Sequence, residues 1–71
     1  MLSPKQQRIY EFIKGYIASN KEAPTMAEIG RHFQMSSSAS VHQQLAVLES
    51  EGMIKRTPHV SRGIQIVEAG L

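Results

Sequence analysis

The chain has 71 residues, 41% of them hydrophobic, with a formal net charge of +2 and no cysteine. That length admits one domain, which buries only about 60% of its unfolded surface, and the composition excludes a disordered tail, a disulfide scaffold and thiolate metal sites. No apolar run approaches the roughly 18 residues of a membrane span and the N-terminus lacks the basic-then-apolar order of a signal peptide, so a soluble cytoplasmic protein without membrane association is expected.

Ser3-Pro4-Lys5-Gln6 predicts a helix start. Ser3 caps, Pro4 suits the first helical position, and Gln6 completes a capping box. Ile9, Phe12, Ile13, Tyr16 and Ile17 then follow at one helical stripe, predicting a helix over 4–19. Gly15 falls on its flank, at a cost of ~1 kcal/mol relative to Ala. Pro24 breaks the chain. Thr25 to Glu28 forms a second capping box, and Ile29 and Phe33 face inward from a short helix over 26–33. A turn at Gln34-Met35-Ser36 leads through a serine cluster into a third helix over 38–51. Its stripe is Val41, Leu45 and Leu48, and Gly52 ends it. Its outward face is small and polar, with Ala39, Gln43, Ala46 and Ser50 in the middle, His42 on one flank, and Ser40 and Val47 on the other.

After Gly52 the period changes. Strands are expected over 53–56 and over 64–67, where apolar and polar residues alternate, joined by the turn-rich tip Thr57–Gly63. The expected fold is therefore mainly α with a small β-hairpin: a winged helix-turn-helix of three helices and a two-stranded wing, occupying 1–71 as a single domain. In such a motif the second helix about the turn enters a major groove with its N-terminal residues at base edges. Ser37 and Ser38 open that helix, where free N–H groups favour phosphate. His42 and Gln43 can hydrogen-bond base edges, and Gln pairs with adenine. Lys55, Arg56 and Arg62 lie in a segment, Gly52–Val67, that has no acidic residue.

Against this stand plainer readings. A polar-faced amphipathic helix is often only a surface helix, and Ser37 and Ser38 serve as caps in any case. His32 and His59 read first as packing or surface residues, and Met26, Met35 and Met53 as core filling. Glu49 and Glu51, two apart on a helix, do not face each other. The sequence offers no catalytic constellation, no glycine-rich phosphate loop and no metal ligand set, so neither an enzyme nor a cofactor is expected.

The residues also resemble a known family. Leu2-Ser3-Pro4-Lys5-Gln6-Gln7, Pro24-Thr25-Met26-Ala27-Glu28-Ile29, Leu45-Ala46-Val47-Leu48 with Gly52-Met53-Ile54, and Ser61-Arg62-Gly63-Ile64 are collinear with the N-terminal DNA-binding domain of LexA repressors, regulators of the bacterial SOS response to DNA damage. The resemblance implies double-stranded DNA as partner, a third helix in the major groove, the wing near the adjacent backbone or minor groove, and repression by operator occupancy. It places Ser37, Ala39, Ser40, His42 and Gln43 where family members touch bases or phosphates, and Ser61 and Arg62 on the wing. With Ser38, Arg56 and His59 these form the candidate contact set. Ala39 replaces a familiar asparagine, His42 and Gln43 replace a pair of glutamates, and Ser50 and Glu51 replace basic residues, so a different operator is expected. Gln34 stands where glycine is common in the turn; if that position needs positive φ, strain of ~1 kcal/mol follows. The family's self-cleaving Ser–Lys peptidase and dimerisation half has no counterpart in these residues. A piece of a longer repressor is the first expectation and a stand-alone small regulator the second, with the chain by itself mostly monomeric. A winged-helix protein-interaction module is the alternative function.

Overall fold

The computed structural model describes residues 2–67, so the ends of the expected 1–71 domain lie outside the described residues. Three helices, α1 (Pro4–Asn20), α2 (Met26–His32) and α3 (Ser38–Ser50), precede two strands, β1 (Ile54–Arg56) and β2 (Ile64–Ile66). The strands pair antiparallel with Ile54 opposite Ile66, Lys55 opposite Gln65 and Arg56 opposite Ile64. This is the winged helix-turn-helix arrangement.

Local chemistry sets the helix ends. Ser3 Oγ accepts from Gln6 N at 3.2 Å while Gln6 Oε1 accepts from Ser3 N at 3.0 Å. Thr25 and Glu28 repeat the exchange at 3.1 and 2.8 Å. Both boxes satisfy N–H groups that a helix start leaves without partners. Helices α2 and α3 close with the same C-terminal motif. Met35 N donates to Gly30 O (2.8 Å) and Gln34 N to Arg31 O (3.3 Å); Met53 N donates to Leu48 O (3.0 Å) and Gly52 N to Glu49 O (3.0 Å). Each motif needs one left-handed residue. Gly52 supplies it at φ 76°, but at the end of α2 it is Gln34, at φ 57°. The condition attached to Gln34 in the sequence is therefore met.

The core lies where the three helices and the hairpin meet. Ile9 and Ile13 of α1, Ile29 of α2, Val41, Leu45 and Leu48 of α3, and Ile54 and Ile64 of the wing are buried. Each such side chain contributes about 1.5–3 kcal/mol when fully buried. The expected stripes of α1 and α3 are thus the faces that pack. A Cβ on Gly30 would stand 3.2 Å from Val41 Cγ2, so glycine there lets α2 press closely on α3. Beside the core, Phe12 stacks on His32 with ring centres 4.2 Å apart, and Phe33 meets Phe12 edge-on at 5.6 Å. His32 is thereby a packing residue. No described helix is long and apolar enough to cross a membrane, and among the described residues no three His, Asp or Glu side chains gather as a metal site.

Candidate nucleic-acid interface

Helix α3 turns Val41, Leu45 and Leu48 into the core, which forces its other faces outward. Ser37, Ser38, Ala39, Ser40, His42 and Gln43 are all exposed. Ser37 is the N-cap, its Oγ accepting from Ala39 N at 3.1 Å. The wing tip stands beside this helix. It carries His59, in the left-handed region at φ 64°, with Ser61 and the exposed Val60. The tip is narrow because Thr57 N donates to Gly63 O at 3.0 Å and Gly63 N to Val60 O at 3.2 Å. A cleft of about 710 Å³ separates wing from helices, lined by residues that include Met26, His42, Arg56, His59 and Val60.

The two wing arginines are engaged within the protein. The two-residue period of β1 puts Arg56 on the same side as buried Ile54, facing α3. There its Nε and Nη2 both donate to Glu49 Oε1, at 3.3 and 3.2 Å, and its Nη1 lies 3.2 Å from His42 Nδ1. Arg62 bridges three segments. Its Nη1 donates to Glu28 Oε1 (2.8 Å), to the carbonyl of Ala23 (2.9 Å) and, more distantly, to Tyr16 Oη (3.4 Å), and its Nη2 donates to Glu28 Oε2 (3.1 Å). The Glu22 carboxylate lies 3.7 Å from its Nε.

Glu28 therefore does two jobs. It completes the α2 capping box and receives the wing's guanidinium in a two-pronged pair, the strong geometry for arginine and carboxylate. The Arg62 hydrogen bond, then the Thr25 backbone N–H, hold the Glu28 carboxyl at about 2, below its ordinary 4.5. Glu28, and after it Tyr16, raise Arg62 in turn. Of the candidate set, the structure thus brings the α3 residues together on one exposed face, sets His59 and Ser61 on the tip beside it, and ties Arg56 and Arg62 to acceptors within the protein. Glu28, Glu49, Tyr16 and the Ala23 carbonyl, which orient those arginines, are absent from the set. Strand alternation carried a signal for Arg56. None existed for Arg62, which lies outside the strand and 34 residues from Glu28.

A family model, the LexA DNA binding domain, matches residues 1–63. The chain belongs to the LexA DNA-binding domain family. It is similar to the LexA repressor of Herpetosiphon aurantiacus, 43% identical over 68 residues, covering 96% of this chain and 32% of that protein. LexA repressor 1 of Geobacter sulfurreducens is 41% identical over 66 residues (93% and 33%), and the LexA repressor of Geobacillus thermodenitrificans 43% over 70 residues (99% and 34%). The chain spans about a third of the length of these curated relatives. In this LexA-family domain, α2, the turn at Gln34, and α3 form the helix-turn-helix, and β1 and β2 with their tip form the wing.

Proposed function

We propose that this domain reads one half-site of an operator in double-stranded DNA, inserting α3 into the major groove and laying the wing tip along the neighbouring backbone. It serves repression of transcription by operator occupancy in the bacterial cytoplasm, as part of a longer LexA-like protein whose remaining length supplies dimerisation. The observation that supports this most is the exposed, small-residue face from Ser37 to Gln43, set beside the wing in a chain matched by the LexA DNA-binding family over residues 1–63. Small side chains let a helix sit deep in a groove about 12 Å wide. On this reading Ser37 and Ser38 approach phosphate at the helix start, Ala39, Ser40, His42 and Gln43 face base edges, and His59 and Ser61 approach the backbone from the tip. Arg56 and Arg62 hold the wing in place for them.

Selection of bound duplexes from a random pool tests the reading. A half-site consensus is expected, and Gln43→Ala should lose ~1–3 kcal/mol on the preferred site by giving up a bidentate base contact. Absence of salt-dependent retention of any duplex would favour the protein-interaction module instead. In analytical ultracentrifugation the 71-residue chain should sediment as a monomer; a tight dimer would contradict the assignment of dimerisation to the rest of the protein.

A further inference from the structure

His42 is one of two exposed α3 side chains, with Glu49, that a wing residue engages. The Arg56 guanidinium reaches it from β1, and guanidinium nitrogens only donate hydrogen bonds. The 3.2 Å contact between Arg56 Nη1 and His42 Nδ1 therefore requires a lone pair on Nδ1. In a neutral imidazole the proton then resides on Nε2. The guanidinium is itself fixed. Glu49 Oε1 accepts from Nε and Nη2 together, and the Arg56 side chain is only 21% exposed. A carboxylate–guanidinium–imidazole chain thus runs from the last turns of α3, across the first wing strand, and back to α3 one turn from its start.

The consequence concerns what α3 offers to DNA. An imidazole free to choose its tautomer can present Nε2 as a donor or as an acceptor. As an acceptor it would suit the amino groups of cytosine or adenine; as a donor it suits purine N7, guanine O6 or thymine O4. Guanine alone shows two adjacent acceptors and no donor on that edge. We propose that Arg56 is a positioning residue that fixes His42 as an Nε2–H donor, so that α3 selects guanine at the base facing His42. This rests on the DNA reading given above.

Two independent measurements test it. The first needs no DNA. Long-range proton–nitrogen correlation spectra of the histidine-labelled domain in alkaline buffer should show His42 Nδ1 as the pyridine-type nitrogen and Nε2 as the pyrrole-type one. Arg56→Met should mix the two, and Arg56→Lys, which also only donates, should restore the single tautomer. A wild-type proton on Nδ1 would overturn the proposal whatever the DNA does.

The second is duplex selection with the wild type, His42→Ala, Arg56→Met and Arg56→Lys. The wild type should select guanine at one position that His42→Ala leaves degenerate. Replacing that guanine by 7-deazaguanine or 2-aminopurine, which lack N7 and O6 respectively, should cost on the order of tenfold with one of the two analogues. Arg56→Met should lose the same preference and keep the others. Uniform weakening on all sequences, with the salt slope reduced by about 0.9, would instead make Arg56 a phosphate contact and overturn the positioning role. Failure of every protein to retain any duplex would overturn the reading of α3 and the guanine selection with it, and would leave the tautomer to stand on the spectra.

Discussion

The wing is sewn to the helices by two arginines, and the two seams differ. At Arg62 both carboxylate oxygens of Glu28 are used, at 2.8 and 3.1 Å, and a backbone carbonyl shares the same guanidinium. At Arg56 a single oxygen of the more exposed Glu49 takes two donors at 3.2 and 3.3 Å, and the other partner is an imidazole on the exposed face of α3. The first seam joins three segments that hold the wing at one angle. The second joins the wing to one side chain of the exposed α3 face. Geometry thus divides two residues of the same type into a clamp and a tuner. Positive charge on a wing does not by itself identify a phosphate contact.

The largest effect on DNA binding is expected from cutting the clamp. Arg62→Ala should weaken binding to all duplexes while the slope of log affinity against log salt stays within a few tenths of wild type; a lost phosphate contact would reduce it by about 0.9. Glu28→Ala is the sharper version, because removing an acidic residue should strengthen phosphate attraction. Loss of affinity on that substitution would mark the clamp, and a gain would dissolve the distinction between the seams. The pair also predicts an acid response. Glu28 is held at about 2, below its ordinary 4.5, so its stabilising contribution is complete above the ordinary value and is lost as pH falls toward 2. Acid titrations followed by circular dichroism should show this component in the wild type and lack it in Glu28→Gln.

Next in size is Gly63→Ala. A Cβ there would stand 2.9 Å from the Thr57 carbonyl and 3.1 Å from Val60 Cβ, in a tip closed by the Thr57–Gly63 hydrogen bond. Overpacking of this kind costs ~1–3 kcal/mol. It should open the wing between the seams, visible as lost amide protection at Thr57 with the helices unchanged. Gln34→Gly should act in the opposite direction, stabilising the turn by about 0.5–1 kcal/mol in denaturant melts by relieving the left-handed conformation. The smallest change is Gly15→Ala, since nothing lies within 4 Å of a Cβ on that helical glycine. A gain of ~0.5–1 kcal/mol is expected. Because Gly15 touches neither seam, this variant should leave duplex preference intact and so serve as the reference for the others.

The helices were legible because their causes are local. Ser3 and Gln6, Thr25 and Glu28, and Leu48 and Met53 act within five positions of each other. Boundaries shifted by a residue at several ends: α1 runs to Asn20 as Lys21 takes a left-handed cap, and α2 stops at His32 with Phe33 as its cap. The strands shortened to three residues each, although Val67 N still donates to Met53 O at 3.0 Å. The site was legible only in part. Exposure of Ser38, Ala39, Ser40, His42 and Gln43 follows from the α3 stripe that buries Val41, whereas the partners of Arg56 and Arg62 do not follow from any stripe.

By itself, then, the sequence determined the order of elements, their caps, the inward stripes of α1 and α3, and the need for a left-handed residue at Gly52. It did so because capping hydrogen bonds and helical periodicity act over a turn or two of chain. Only the tertiary structure decided what the wing's charges do. Arg62 finds Glu28 across 34 positions, and Arg56 finds His42 across 14. A guanidinium on a flexible stem takes whichever acceptors packing brings within about 3 Å, and that is settled by how the hairpin lies against α2 and α3.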